Sequence, residues 1–393
     1  MKKRIFISTG EVSGDLQGAL LVEALHRQAK QRGLDLEILA LGGDRMAAAG
    51  ATLLGHTTAI GSIGIFEGLP YVLPTYKVQQ QAKRYLSQNP PDLVVMIDYA
   101  DPNISIGLHV RKHLPQVPTV FFIAPQEWVV AVTPQKTKWL VEISDRIVAI
   151  FPEEAKYYAA KGAKTVFVGH PLVDRMQNAP DRAMARAALG IAPDQTTIVL
   201  LPASRQQEIR YMLPVILQAA QQIQAKMPDV QFLIPLSLEK YRAAIEQGIA
   251  QYQLRAKILD SGSPLEAIAA ADLAITKSGT VNLEIALLEV PQVVMYRVSP
   301  LTAWIAKNIL RLKIPLISPA NLVEMRQIVP EFLQYAATSE NIANAAIELF
   351  QPDRRQPMIN DYREMRKALG EVGVCDRAAE EMLRMLNTHE SPA

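Results

Sequence analysis

The sequence predicts an α/β protein of two Rossmann-like parallel-sheet domains, and three observations predict it. Short apolar runs rich in β-branched residues alternate with helical stretches along most of the chain, the pattern of parallel strands covered on both faces. The alternation comes in two series, separated by Gly169-His170-Pro171 and a polar stretch from Asp174 to Asp181. At 393 residues the chain has room for two or three domains with real cores.

The first series opens with a strand over 4–8, a Gly/Ser turn, and a helix marked by Leu20, Ala24 and Leu25. Further strands are predicted over 36–41, 92–97, 117–123 and 146–150, with helical segments such as 71–87 between them. The second series predicts strands over 197–201, 230–235, 256–259, 273–276 and 292–296. The domains are therefore drawn at 1–172 and 173–350, facing a cleft, with ligands at the carboxyl ends of the strands. The remainder, 351–393, is a helical tail with Tyr362, Met365, Leu369, Ala378, Met382 and Leu386 on its apolar side and a break near Gly370 and Gly373. Such a tail packs back across the first domain or onto a second copy, which would make a homodimer.

Composition narrows the class. Lys plus Arg number 41 and Asp plus Glu 39, a balance of +2 that argues against nucleic acid as a partner. A single cysteine, Cys375, excludes an internal disulfide and any site built on several thiolates. The basic start Met1-Lys2-Lys3-Arg4 is followed by too short an apolar run for a signal peptide, and no stretch reaches the roughly 18 apolar residues of a membrane span. A cytoplasmic protein is expected. Walker, zincin and serine-esterase motifs are absent, the six histidines have no zinc spacing, and neither a metal nor another cofactor is expected.

The chemistry-bearing residues follow predicted strands. In Gly10-Glu11-Val12-Ser13-Gly14-Asp15, the polar groups Glu11, Ser13 and Asp15 stand before a helix, where they meet a substrate or where Ser13 or Asp15 serves as N-cap. Asp98 and Asp101 follow the run Leu93-Val94-Val95-Met96-Ile97; a carboxylate there accepts a proton, or caps the next helix. Gln126 and Trp128 of Pro125-Gln126-Glu127-Trp128 offer a polar group and an apolar wall, or Trp128 is simply core. Arg205 opens a helix, where the macrodipole disfavours a cation by about 0.3–1 kcal/mol unless an anion is shared; Glu208 is the competing partner. In Thr276-Lys277-Ser278-Gly279-Thr280, Gly279 allows close approach of a diphosphate, and Ser278 and Thr280 donate hydroxyl protons or cap the helix. Glu284 either takes the vicinal hydroxyls of a ribose or complements the helix dipole. The 299–317 segment, apolar with Lys307, Arg311, Lys313 and Trp304, has the composition of an interfacial or a plain packing helix.

Taken together, GEVSGD (10–15), IGIFEGL (63–69), DLVVMIDYADPN (92–103), GHPLVD (169–174), LPASRQQEI (201–209), TKSGTVNLE (276–284) and SPANLVEMRQIVPEFLQ (318–334) resemble the lipid-A-disaccharide synthases, glycosyltransferases of the GT-B type. The resemblance implies inverting transfer of 2,3-diacylglucosamine from UDP-2,3-diacylglucosamine to 2,3-diacylglucosamine 1-phosphate at the cytoplasmic membrane face. It also implies Asp98 as general base, Arg205 on the UDP side, Ser278 to Thr280 and Glu284 at the donor nucleotide, and Asn321 at another polar position of the cleft. Three places depart from the family pattern: Ala203 where glycine is usual, Trp128-Val129-Val130-Ala131 where a W-A-W-R run is usual, and Thr276-Lys277 where small apolar residues are common. Other GT-B enzymes such as UDP-N-acetylglucosamine epimerases, and a non-catalytic UDP-sugar binding protein, are the competing readings.

Overall fold

The computed structural model describes residues 2–58, 69–129, 134–202, 205–260, 264–309 and 314–387. Most of the 63–69 segment, with Val130, Ala131, Ala203 and Ser204, lies outside them. The chain forms two compact units, one built from the chain up to Asp174 and from Leu369 onward, the other from Arg175–Ala368.

Among the described residues the first unit holds a seven-stranded parallel sheet: β1 (Lys2–Ser8), β2 (Asp35–Gly42), β3 (Thr52–His56), β4 (Leu93–Ile97), β5 (Thr119–Phe122), β6 (Arg146–Ala149) and β7 (Thr165–Phe167), in the order β3-β2-β1-β4-β5-β6-β7. Every residue of β4 is fully buried, because helices cover both faces of a central parallel strand. The second unit repeats the design with six strands, β8 (Thr197–Leu201), β9 (Gln231–Pro235), β10 (Ala256–Leu259), β11 (Leu273–Lys277), β12 (Gln292–Tyr296) and β13 (Glu331–Leu333), ordered β10-β9-β8-β11-β12-β13. In each sheet the strand order reverses beside the first strand, between β1 and β4 and between β8 and β11. That reversal opens a crevice at the carboxyl ends, where ligands of such sheets bind.

Three strands escape the sequence reading. β3, β7 and β13 have no fully buried residue in their runs, and β7 and β13 span three residues each. All three are edge strands, where one side needs no apolar cover, so the continuous apolar signal is missing.

The expected tail is divided between the units. The helix Pro352–Ala368 packs on the helix Val281–Leu287 of the second unit, while Val374–Asn387 packs on Glu11–Gln31 of the first. Val374, Ala378, Met382 and Leu386, spaced four apart, form the buried face of that last helix. Each fully buried large apolar side chain contributes about 1.5–3 kcal/mol. The helix start is fixed by Asp174, whose carboxylate accepts from the amides of Gly373 (2.6 Å), Val374 (3.2 Å) and Cys375 (2.9 Å), satisfying donors that a helix N-terminus leaves open. Gly169 and Gly370, at φ +90° and +87°, cross so closely that a Cβ on Gly370 would stand 3.1 Å from the Gly169 Cα. Side chains are excluded there by space and by conformation alike.

Candidate active site

At the first sheet's reversal, β1 runs into Gly10 and the helix Glu11–Gln31. Gly10 is required by contact, since a Cβ there would lie 2.3 Å from the Tyr99 ring. The capping role considered for Ser13 or Asp15 is absent: Gly10 is the N-cap, with no side-chain cap bond. Asp15 instead lies one turn into the helix and is buried. Its carboxylate accepts from the amides of Gly43 (2.8 Å), Arg45 (3.2 Å) and Met46 (3.2 Å), capping the short helix Asp44–Ala48 whose own N-cap is a glycine. Ser13 is half-buried, and the Glu11 backbone begins the helix.

Beside it β4 ends in an unusual way. Asp98 and Tyr99 both have φ of 47°, and Ile123, at the end of neighbouring β5, has φ of 60°. Left-handed backbone costs non-glycine residues of order 1–3 kcal/mol each and clusters where function over-determines the structure. The three are tied together, because the Asp98 amide donates to the Ile123 carbonyl at 3.0 Å. Asn103, fully buried, donates to the carbonyls of Ser8 (3.3 Å), Ile97 (3.0 Å) and Asp98 (2.8 Å), pinning the ends of β1 and β4. The helix Ala100–His113 that follows has Tyr99, itself left-handed, at its N-cap. Asp101 is different: exposed in the first turn, it pairs with Lys136 at 2.8 Å.

Two buried carboxylates that sequence reasoning left out accompany Asp98. Glu127 lies in the turn Gln126–Trp128, and Glu154 in the helix Pro152–Ala160 is fully buried. Asp98, Glu127 and Glu154 all act on the Tyr158 hydroxyl, whose proton affinity burial and these charges raise. Gln126 is exposed. Trp128 is half-buried, its ring 5.5 Å from Phe151, which lies 5.2 Å from His170. The Trp128 indole N–H is buried without an acceptor among the described residues, and burial pushes His170 down to about 3, so its ring is neutral.

The second sheet's reversal gathers cations. The fully buried Glu208 carboxylate accepts from the Arg205 amide (3.0 Å) and guanidinium (3.2 Å), and lies 3.5 Å from the Lys277 ammonium. Glu208 thus does partner Arg205, and two cations share that one carboxylate. The Lys277 ammonium stands 2.9 Å from where a Cβ of Gly279 would be. Asn282, in the first turn of the helix, bonds back to the loop before it. Its side-chain oxygen accepts from the Gly279 amide (2.9 Å) and its amide group donates to the Lys277 carbonyl (3.0 Å). Ser278 donates instead to the Ile317 carbonyl at 2.5 Å, and Thr280, already helical in φ and ψ, makes no cap bond. Glu284 is ion-paired with Arg175, the first residue of this unit and one that sequence reasoning passed over. Asn321 is fully buried: its amide group donates to the Val329 carbonyl (3.0 Å) and Glu331 (2.8 Å), and its oxygen accepts from the amides of Ile328 (2.7 Å) and Val329 (2.8 Å). It holds the 318–331 loop closed from inside.

The family model for lipid-A-disaccharide synthetase matches residues 5–384. The chain belongs to the lipid-A-disaccharide synthetase family. Curated lipid-A-disaccharide synthases are similar along their whole length: that of Gloeothece citriformis is 59% identical over 97% of this chain and 99% of its own. Those of Synechocystis and Prochlorococcus marinus are 53% and 46% identical, each over 98% of this chain and over 98% and 100% of their own. Membership in the lipid-A-disaccharide synthetases makes the chain a glycosyltransferase. Among solved structures, the S. aureus MnaA-UDP co-structure aligns with a TM-score of 0.67 at 15% identity, over 100% of this chain and 99% of that one. A Neisseria meningitidis UDP-GlcNAc 2-epimerase bound to UDP-GlcNAc aligns at 0.64 and 12%, over 98% and 100%. At such identities the likeness is one of fold, the GT-B arrangement of two parallel-sheet domains, and the epimerase alternative is not favoured.

Proposed function

We propose that this chain makes the β-1,6-linked lipid A disaccharide 1-phosphate, transferring 2,3-diacylglucosamine from its UDP derivative to the 6-hydroxyl of 2,3-diacylglucosamine 1-phosphate and releasing UDP. The observation that carries the reading is Asp98, held left-handed at the strand-order reversal of a chain that matches this family over residues 5–384. The acceptor hydroxyl attacks the anomeric carbon from the face opposite UDP, the carbon–oxygen bond to UDP breaks with inversion, and the hydroxyl proton passes to Asp98. Asp98 is half-buried, and its charge acts on the buried Glu154 carboxyl nearby. In this reading the diphosphate charge is met by Arg205 and Lys277 beside Gly279, Glu284 takes the ribose, and Trp128 with Gln126 borders the acceptor. Asp15 and Asn321 act by holding loops rather than by touching substrate.

The test is turnover of the two lipid substrates in detergent micelles. Disaccharide and UDP should form in equal amounts; conversion of UDP-N-acetylglucosamine to its epimer, or UDP binding without any product, would sink the assignment.

No described helix is long and apolar enough to cross a membrane, yet both substrates carry acyl chains. In the helix Pro300–Asn308, Leu301 and Trp304 are 53% exposed, with Ile309 just beyond at 60% and Lys307 nearby, the make-up of an interfacial contact. Peripheral attachment through this patch predicts that Leu301→Ser with Trp304→Ser lowers co-sedimentation with anionic vesicles at low salt while turnover in micelles is kept. Equal sedimentation of variant and parent would remove the patch from the proposal.

A further inference from the structure

The left-handed strand ends that present Asp98 are held from behind by a group to which the reaction scheme gives no role. Glu154 accepts from the Ala124 amide at 2.7 Å through one oxygen, and from the amides of Ile150 (2.9 Å) and Phe151 (3.2 Å) through the other. Ala124 directly follows the left-handed Ile123, and the Ile123 carbonyl receives the Asp98 amide at 3.0 Å. One buried carboxylate therefore anchors the peptide against which Asp98 is set. An ordinary helix-start glutamate would bond only its own first turn; this one reaches across to β5.

We propose that Glu154 is a positioning residue for Asp98, fixing the left-handed ends of β4 and β5 so that the Asp98 carboxylate meets the acceptor hydroxyl. The inference rests on Asp98 being the base. All three contacts are amide donors, which suits an ionised carboxylate and leaves a carboxyl proton facing an N–H. The titratable groups around Glu154 are Asp98 at the end of β4, Glu127 in the turn after β5, Tyr158 on its own helix, and His170 beyond the Phe151 ring. Burial pushes the Glu154 carboxyl up to about 7, against the pull of the three amides, and the Asp98 charge adds a further rise. The coupling is mutual, so ionised Glu154 makes Asp98 a stronger base. As pH rises through about 7, Glu154 loses its proton, the amide contacts tighten, and Asp98 gains basicity. Activity should climb through that step.

The experiment is the pH profile of kcat/KM for the full chain, parent against Glu154→Gln, Glu154→Asp and Asp98→Asn, with thermal unfolding of each. Glu154→Gln should lose the step near pH 7 and drop kcat by about 10-fold to 100-fold, with KM for the UDP-sugar unchanged. Glu154→Asp, which keeps the charge but is one methylene short, should restore a step at a lower plateau. A step of parental position and height in Glu154→Gln, or a full-length kcat, overturns the proposal. Should Glu154→Gln fail to fold, Glu154→Asp decides alone: a parental plateau overturns the proposal, and a lowered one supports it. Asp98→Asn separates the two readings. If it keeps turnover, the base assignment falls; if it is inactive while Glu154→Gln behaves as parent, the Glu154 role alone falls.

Discussion

Asp98→Asn is expected to lower kcat by roughly 100-fold to 10,000-fold, the range a general base contributes, while UDP still binds. Asparagine is the right probe because the site is as much a backbone feature as a side chain. Asp98 sits at φ 47°, and asparagine is among the few residues that enter this region readily. Alanine there would add a conformational penalty of about 1–2 kcal/mol, mixing loss of the base with displacement of the turn. Asn103 and the Ile123 carbonyl hold only the backbone of residue 98, so those contacts survive the exchange. Turnover measured beside UDP binding by calorimetry decides the matter: near-parental kcat in Asp98→Asn would mean that another group collects the proton.

The largest loss of stability is expected from Glu208→Ala. Its carboxylate is fully buried, whereas the cations it serves, Arg205 and Lys277, have side chains 21% and 13% exposed. Removing one member of a buried ion pair costs about 3–5 kcal/mol, and the water still reaching the two cations puts this site near the lower end. A unit of this size loses about 2–4 °C per kcal/mol, so the transition of the second unit should fall by roughly 10 °C. A second readout links stability to the donor site. With Glu208 gone, Arg205 and Lys277 lose the carboxylate they share, and a diphosphate brings negative charge to the same place; UDP should therefore raise the transition more in Glu208→Ala than in the parent. An unchanged transition, or equal shifts with UDP, would show that the trio is not coupled to the nucleotide.

What the sequence made legible follows from how each feature is encoded. β4 and β8 were plain because a strand covered on both faces must be apolar throughout, and the polar residues after them mark the carboxyl ends of the sheets. That places Asp98 and Arg205 at the two strand-order reversals. The pairing of Arg205 with Glu208 was readable as an alternative because the two are three residues apart. Contacts between residues distant in the chain leave no such trace. Asp15 caps a helix through amides 28 to 31 residues away, and Glu154 looks like any acid in the first turn of a helix until β5 is seen beside it. Left-handed backbone was hidden for another reason. Where glycine supplies it the sequence announces the turn, but Tyr99 and Ile123 have no preference for the conformation, and an aspartate such as Asp98, though it enters the region more readily, does not announce it.

The division of the tail bears on synthesis. The first unit contains the start of the chain, yet its surface over the helix Glu11–Gln31 is completed only by Val374–Asn387. Domains made early on the ribosome usually fold before later ones emerge. Here all of the second unit, Arg175–Ala368, precedes in the chain the helix that covers Glu11–Gln31 and the amides of residues 373–375 that Asp174 receives. The half of the molecule translated first is thus the last to be finished.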